Sequence, residues 1–141
     1  MRNLVVDSSV CMKWAFEEEG SEIARRILTD YQNDKILLFS PAIWEYEIVN
    51  ALASAVHRKK ISPLKSTNYL NLFIQSKPQI ISLSDLLKPC LENTNRYQIS
   101  AYDSAYVTMA KENKMLFISA DEKLVRKIKD SKTAILLKDY S

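Results

Sequence analysis

Asn3-Leu4-Val5-Val6-Asp7-Ser8-Ser9 opens the chain with a short apolar run that stops at a carboxylate. Leucine and two valines in succession, with no polar alternation, read as a strand buried on both faces. Similar short runs recur at Ile36–Phe39, Gln79–Leu83, Met115–Ile118 and Ala134–Leu137. Between them the pattern is helical: Ser9–Phe16, Ser21–Asn33, a stretch opened by Pro41 and running to about Lys59, and one begun by Ser62-Pro63 that ends before Pro78. Asp85–Arg96, Ser100–Asn113 and Asp121–Asp130 complete the helices. Proline suits a first helical turn because its missing N–H has no partner there in any case.

Buried strands alternating with helices predict an α/β fold with a mostly parallel, roughly five-stranded sheet covered on both faces. No repeat, low-complexity stretch or linker interrupts the pattern, so residues 1–141 read as a single domain. Ligands of such sheets bind beyond the carboxyl ends of the strands, where strand order reverses. Asp7 directly follows Leu4-Val5-Val6, and Asp121 closely follows Leu116-Phe117-Ile118, so both are expected at that edge.

Composition narrows the chemistry by exclusion. With 47% hydrophobic and 26% charged residues, the chain has the make-up of a soluble globular protein. The first strand meets its acid too early for a signal-peptide core, and no apolar run nears the roughly 20 residues of a membrane span, so a cytoplasmic location is expected. Cys11 and Cys90 lack the spacing of a redox or metal motif and read as reduced, semi-buried apolar residues. Gly20 is the only glycine, which rules out glycine-rich dinucleotide or phosphate loops. His57 is the only histidine and stands beside Arg58, Lys59 and Lys60, away from any nucleophile elbow. Carboxylates are left to carry whatever chemistry the chain performs.

Four acids stand out by context: Asp7, Glu47, Asp103 and Asp121. Each also has a structural role open to it. Asp7 can cap the helix after the first strand. Ser100-Ala-Tyr-Asp103 has the form of a capping box; Asp121 can be a helix N-cap or a first-turn acid favoured by the dipole, and Ser119 with Glu122 makes a second capping-box pattern. On the helix after Pro41, the apolar stripe runs through Trp44, Ile48, Ala51, Leu52 and Ala55. Glu47 and Glu45 lie at its two margins, and periodicity does not choose between them. Converging carboxylates need compensation for lost hydration, and a hard divalent cation such as Mg2+ or Mn2+ is the natural partner.

Taken together, Val-Val-Asp7-Ser-Ser, Pro41 with Glu47-Ile-Val-Asn50-Ala-Leu, Ser100-Ala-Tyr-Asp103-Ser-Ala-Tyr106 and Phe117-Ile-Ser-Ala-Asp121 resemble the PIN-domain ribonucleases. Within these the chain is most similar to the VapC-type toxins of toxin–antitoxin pairs, over essentially its whole length and in the same order. The resemblance implies a three-layer α/β/α PIN-like domain. It also implies a metal-dependent endoribonuclease in which Asp7, Glu47, Asp103 and Asp121 are both catalytic and metal-binding. One or two Mg2+ or Mn2+ ions are implied, with Asp7 and Asp103 the first choices as direct ligands. It selects Glu47 over Glu45, because the family's glutamate precedes an asparagine by three residues. The family's last acid usually follows a threonine by two positions; here Ser119 stands in that place and keeps the hydroxyl. RNA, with tRNA as a family-level target, a small VapB-type antitoxin and a homodimer are the implied partners.

Arg58, Lys59, Lys60, Lys123 and Arg126 are candidates for a basic rim that draws RNA toward the acids. Tyr102 and Tyr106 are candidates to stack on unpaired bases, with core packing the competing role for at least one. Two other classes fit less well. A phosphoacceptor receiver needs an acid pair and a late lysine after a strand, and a haloacid dehalogenase phosphatase needs a second Asp after Asp7; neither arrangement is present. A PIN-like scaffold turned to Mg2+ or RNA binding without catalysis is the remaining alternative.

Overall fold

The computed structural model describes all 141 residues. Five strands, β1 (Arg2–Val6), β2 (Ile36–Pro41), β3 (Gln79–Ile81), β4 (Leu116–Ser119) and β5 (Ala134–Leu136), form one sheet in the order β3-β2-β1-β4-β5. Every pairing is parallel. Seven helices flank it: α1 (Ser8–Cys11), α2 (Ser21–Gln32), α3 (Ile43–His57), α4 (Pro63–Gln75), α5 (Leu87–Tyr97), α6 (Ala101–Glu112) and α7 (Glu122–Ile128). The arrangement is the three-layer α/β fold expected from the alternation of elements.

Burial explains why β1 takes the centre. Leu4, Val5 and Val6 are all at or below 1% exposure, which requires cover on both faces of the sheet. Their neighbours Leu38 and Phe39 on β2, and Phe117 and Ile118 on β4, are buried with them. Each such side chain contributes roughly 1.5–3 kcal/mol by leaving water. Helix α6 lies across β2, β1 and β4 and is covered in turn by α5, so Tyr106 through Ala110 are buried without a break. Asn93 of α5 ties the two helices by donating to Thr108 Oγ1 at 3.0 Å.

The chain runs from β1 outward through β2 to β3, then returns to the opposite side of β1 for β4 and β5. Strand order therefore reverses between β1 and β4. Val6 pairs in register with Ile118, so the next residues, Asp7 and Ser119, stand opposite one another where the two strands end.

Several boundaries differ from the sequence reading. Pro41 does not open a helix: it ends β2, in register with Ile81, and α3 starts at Ile43. The first helix spans only Ser8–Cys11 and tightens into a 3-10 turn at Met12–Trp14, where Trp14 Nε1 reaches Ala24 O at 3.0 Å. The expected strand to Leu83 stops at Ile81, and a 3-10 turn over Ser84–Leu86 precedes α5. Gly20 caps α2 at φ 87°, a left-handed conformation, and a Cβ there would meet Leu137 Cδ2 at 3.1 Å. No helix is long and apolar enough to cross a membrane.

Candidate active site

Asp7 leaves the sheet as β1 ends and caps α1, accepting from the Val10 amide at 3.3 Å through Oδ1. The same oxygen accepts from Ser9 Oγ at 2.5 Å, and Oδ2 accepts from Ser119 Oγ at 2.6 Å. Both hydroxyls also accept: Ser9 Oγ from the Ala120 amide at 3.0 Å, and Ser119 Oγ from the Asp121 amide at 3.1 Å. The reversal of strand order is thus stitched by two serines, and Ser119 alone links Asp7 to the backbone of Asp121. Ser119 is a strand residue and not a cap; α7 is capped by Asp121 itself, which accepts from the Leu124 amide at 3.0 Å. Burial pushes the Asp7 carboxyl up to about 6, against the pull of these hydrogen bonds, and the nearby Glu47 charge raises it further.

Glu47 sits on the second turn of α3, half-buried, and accepts a short hydrogen bond from the Tyr106 phenol through Oε1. Burial raises its pKa; the Tyr106 bond opposes the rise and the charge of Asp103 adds to it. Glu45, the other margin of the stripe, is exposed and paired with Lys77 at 3.1 Å. Asp103 lies in the first turn of α6, where the Ser100 hydroxyl accepts from its amide at 3.0 Å. Its carboxyl makes no bond back to the Ser100 amide, so only half of the expected capping box forms. Burial raises the Asp103 pKa first and the Asp121 charge second, with Ser100 and Lys127 opposing.

The four acids therefore form an electrostatic series, Asp7 to Glu47 to Asp103 to Asp121, each close enough to raise the one before it. Two come from strand ends at the point of reversal, and two from helices α3 and α6. An all-carboxylate, all-oxygen donor set suits a hard divalent ion. As they stand, no three of these side chains, nor any other three His, Cys, Asp or Glu, are placed to hold one ion. Mg2+ is commonly held by one or two carboxylates with water and substrate phosphate completing its shell, and the donor set fits that mode.

Sequence reading missed the bond of Ser9 to Asp7 and that of Tyr106 to Glu47, while the core-packing role it left open for one tyrosine falls to Tyr106. Ser9 follows Asp7 by two positions, a spacing at which a hydroxyl can turn back on the acid, and that is its only sequence signal. Tyr106 is 1% exposed and stacked on Phe117 with ring centroids 5.6 Å apart, which takes it away from bases and into the core. Tyr102 is 64% exposed beside Asp103. Arg58, Lys59 and Lys60 are exposed at the far end of α3, about 15 Å along its axis from Glu47. Lys123 and Arg126 are exposed on α7, whose Lys127 donates to Gln98 O at 2.9 Å.

A buried acid at the end of the first strand, an acid capping α7 beside it and two acids carried by α3 and α6 define an α/β domain with acids gathered at the reversal of strand order. The PIN-domain family model matches residues 4–130, and the chain belongs to that family. PIN domains are generally nucleases and typically use Mg2+ or Mn2+. No curated protein matches the chain. Among solved structures it is similar to PAE2754 from Pyrobaculum aerophilum, with TM-score 0.72, 18% identity, and cover of 97% of this chain and 92% of that one. It is also similar to FitAB bound to an IR36 DNA fragment, with TM-score 0.61, 14% identity, and cover of 98% and 97%.

Proposed function

We propose that residues 1–141 form a single PIN-like unit that hydrolyses RNA phosphodiester bonds with Mg2+ or Mn2+, as the toxin of a VapBC-type pair. The observation that supports this most is the acidic series at the reversal of strand order, with Asp7 at its buried end pushed up to about 6. Carboxylates raised by neighbouring charges, as Asp7, Glu47 and Asp103 are, are poised to take up a cation, because the cation relieves their repulsion. Asp7, Glu47, Asp103 and Asp121 would hold one or two ions. A bound ion would neutralise charge on the scissile phosphate and acidify water. The chain's own residues orient the site: Ser9 and Ser119 fix Asp7, the Leu124 amide fixes the Asp121 carboxyl, and the Ser100 cap fixes the backbone of Asp103.

The basic residues on α7 and at the far end of α3 would bring the RNA backbone to an otherwise repulsive crevice. A small VapB-type antitoxin and a homodimer belong to the same reading; the FitAB structure is a fold neighbour whose solved form includes nucleic acid. A tRNA is the substrate we would test first.

The alternative is a PIN-like domain that binds Mg2+ or RNA without cutting. It is favoured by the absence of any three acids placed around one point. One experiment separates the two. Antitoxin-free protein is incubated with structured RNA and Mn2+, with and without chelator, beside the Asp7→Asn variant. Cleavage that needs metal and Asp7 supports the nuclease; binding without cleavage supports the alternative. A folded Asp7→Asn protein with full activity would sink the mechanism.

A further inference from the structure

Glu47 is the member of the acidic series whose side chain is tied to a buried tyrosine on another helix. That partner, Tyr106, is fixed from three sides. It belongs to α6, three residues after Asp103 and so on nearly the same face of that helix. Its ring lies stacked on Phe117 of β4, two residues before Ser119. Its exposure is 1%, so the phenol oxygen has no ready access to bulk water as a substitute partner. The hydroxyl donates to Glu47 Oε1, and no other residue bonds that hydroxyl.

Two consequences follow from elementary chemistry. A carboxylate on a flexible three-bond stem would ordinarily sample many rotamers and lose that freedom on binding an ion. A donor locked in the core removes much of this freedom in advance. In addition, an oxygen that accepts from a phenol is a poorer metal donor, which leaves Oε2 as the open one. We infer that Tyr106 is a positioning residue for the acidic crevice: its core-anchored phenol fixes Glu47 through one oxygen and presents the other, making Glu47 a one-oxygen ligand. The inference rests on the reading of Glu47 as part of a cation site. It also gives the α6 helix two tasks at once, carrying Asp103 directly and holding Glu47 through Tyr106.

Tyr106→Phe tests it, since the variant keeps the ring and its stack on Phe117 and removes only the oxygen. Mn2+ binding is measured on the protein alone by electron paramagnetic resonance or calorimetry, beside the melting temperature and RNA cleavage. We expect an unaltered cooperative melt, Mn2+ affinity lower by about tenfold or more, and kcat reduced with KM for RNA unchanged. In a Glu47→Gln background, adding Tyr106→Phe should change Mn2+ affinity no further, because the phenol acts through the carboxylate. Wild-type Mn2+ affinity and kcat in Tyr106→Phe would overturn the inference, as would an equal loss in the Glu47→Gln background. Should the wild-type protein itself bind no Mn2+, the cation-site reading fails and the inference falls with it, an outcome distinct from failure of the tyrosine alone.

Discussion

Burying Asp7 lifts its carboxyl to about 6 from an ordinary 3.8, although Ser119, Ser9 and the Val10 amide all favour the charged form. A folded-state value above the unfolded one means that the native protein holds the proton more tightly. The associated stability is fully present below about pH 3.8 and is lost as pH rises through about 6. At neutral pH the ionised Asp7 therefore costs the metal-free fold about 3 kcal/mol, from some two pKa units at 1.36 kcal/mol each. Asparagine keeps one acceptor and adds a donor that the serine hydroxyls can receive. Asp7→Asn should thus raise metal-free stability at pH 7.5 by about 1–3 kcal/mol, or several degrees in melting temperature, and lower cleavage by about two orders of magnitude or more. Melting in chelator at pH 4 and pH 7.5 checks the sign, since the gain should shrink at the lower pH. A variant that melts lower than wild type at pH 7.5 would contradict the burial account.

At the level of elements, the two glutamates of α3 show where sequence reading runs out. Both border the apolar stripe, and only the placement of α6 against α3 decides which meets a buried phenol. Glu45→Gln should leave cleavage within about twofold and stability within about 0.5 kcal/mol, because its exposed pair with Lys77 is worth little. Glu47→Gln should impair cleavage severely, and equal effects of the two variants would reject the assignment. The buried strands β1, β2 and β4 were legible from their short, β-branched or aromatic apolar runs, and so was the edge at which Asp7 and Asp121 lie. Pro41 was misplaced because proline suits a first helical turn and α3 begins only two residues after it. The N-cap role of Asp121 was open to sequence reading, whereas the bond of Ser119 to Asp7 was not, because it spans 112 positions and depends on β1 and β4 being neighbours. Ser119→Ala removes a bond that lowers the Asp7 pKa, so the acid limb of the pH–rate profile should move to higher pH. Ser119→Thr should leave that limb in place.

At the scale of the whole molecule, the proposed function asks RNA to approach four acids that repel phosphate. Attraction has to come from elsewhere on the surface. Two exposed basic groups are available: Lys123 and Arg126 on α7, the helix that Asp121 caps, and Arg58-Lys59-Lys60 at the end of α3. The second group is joined to Glu47 by the rigid axis of one helix, so it moves with the site. Its distance of about 15 Å means it can touch only RNA that extends well beyond the scissile bond. Substituting Arg58, Lys59 and Lys60 together by alanine should therefore raise KM for a long structured RNA and leave kcat near wild type. For a short oligonucleotide that cannot reach the end of α3, KM should hardly change. If all three residues contact phosphates, the slope of log affinity against log salt should become shallower by about 2, at roughly 0.7 per contact on single strands. Nitrocellulose binding across a salt series, with Mg2+ replaced by Ca2+ to slow cleavage, gives that slope directly. An unchanged slope with unchanged KM would assign RNA capture to α7 alone, where the cations are close enough to act on the scissile region itself.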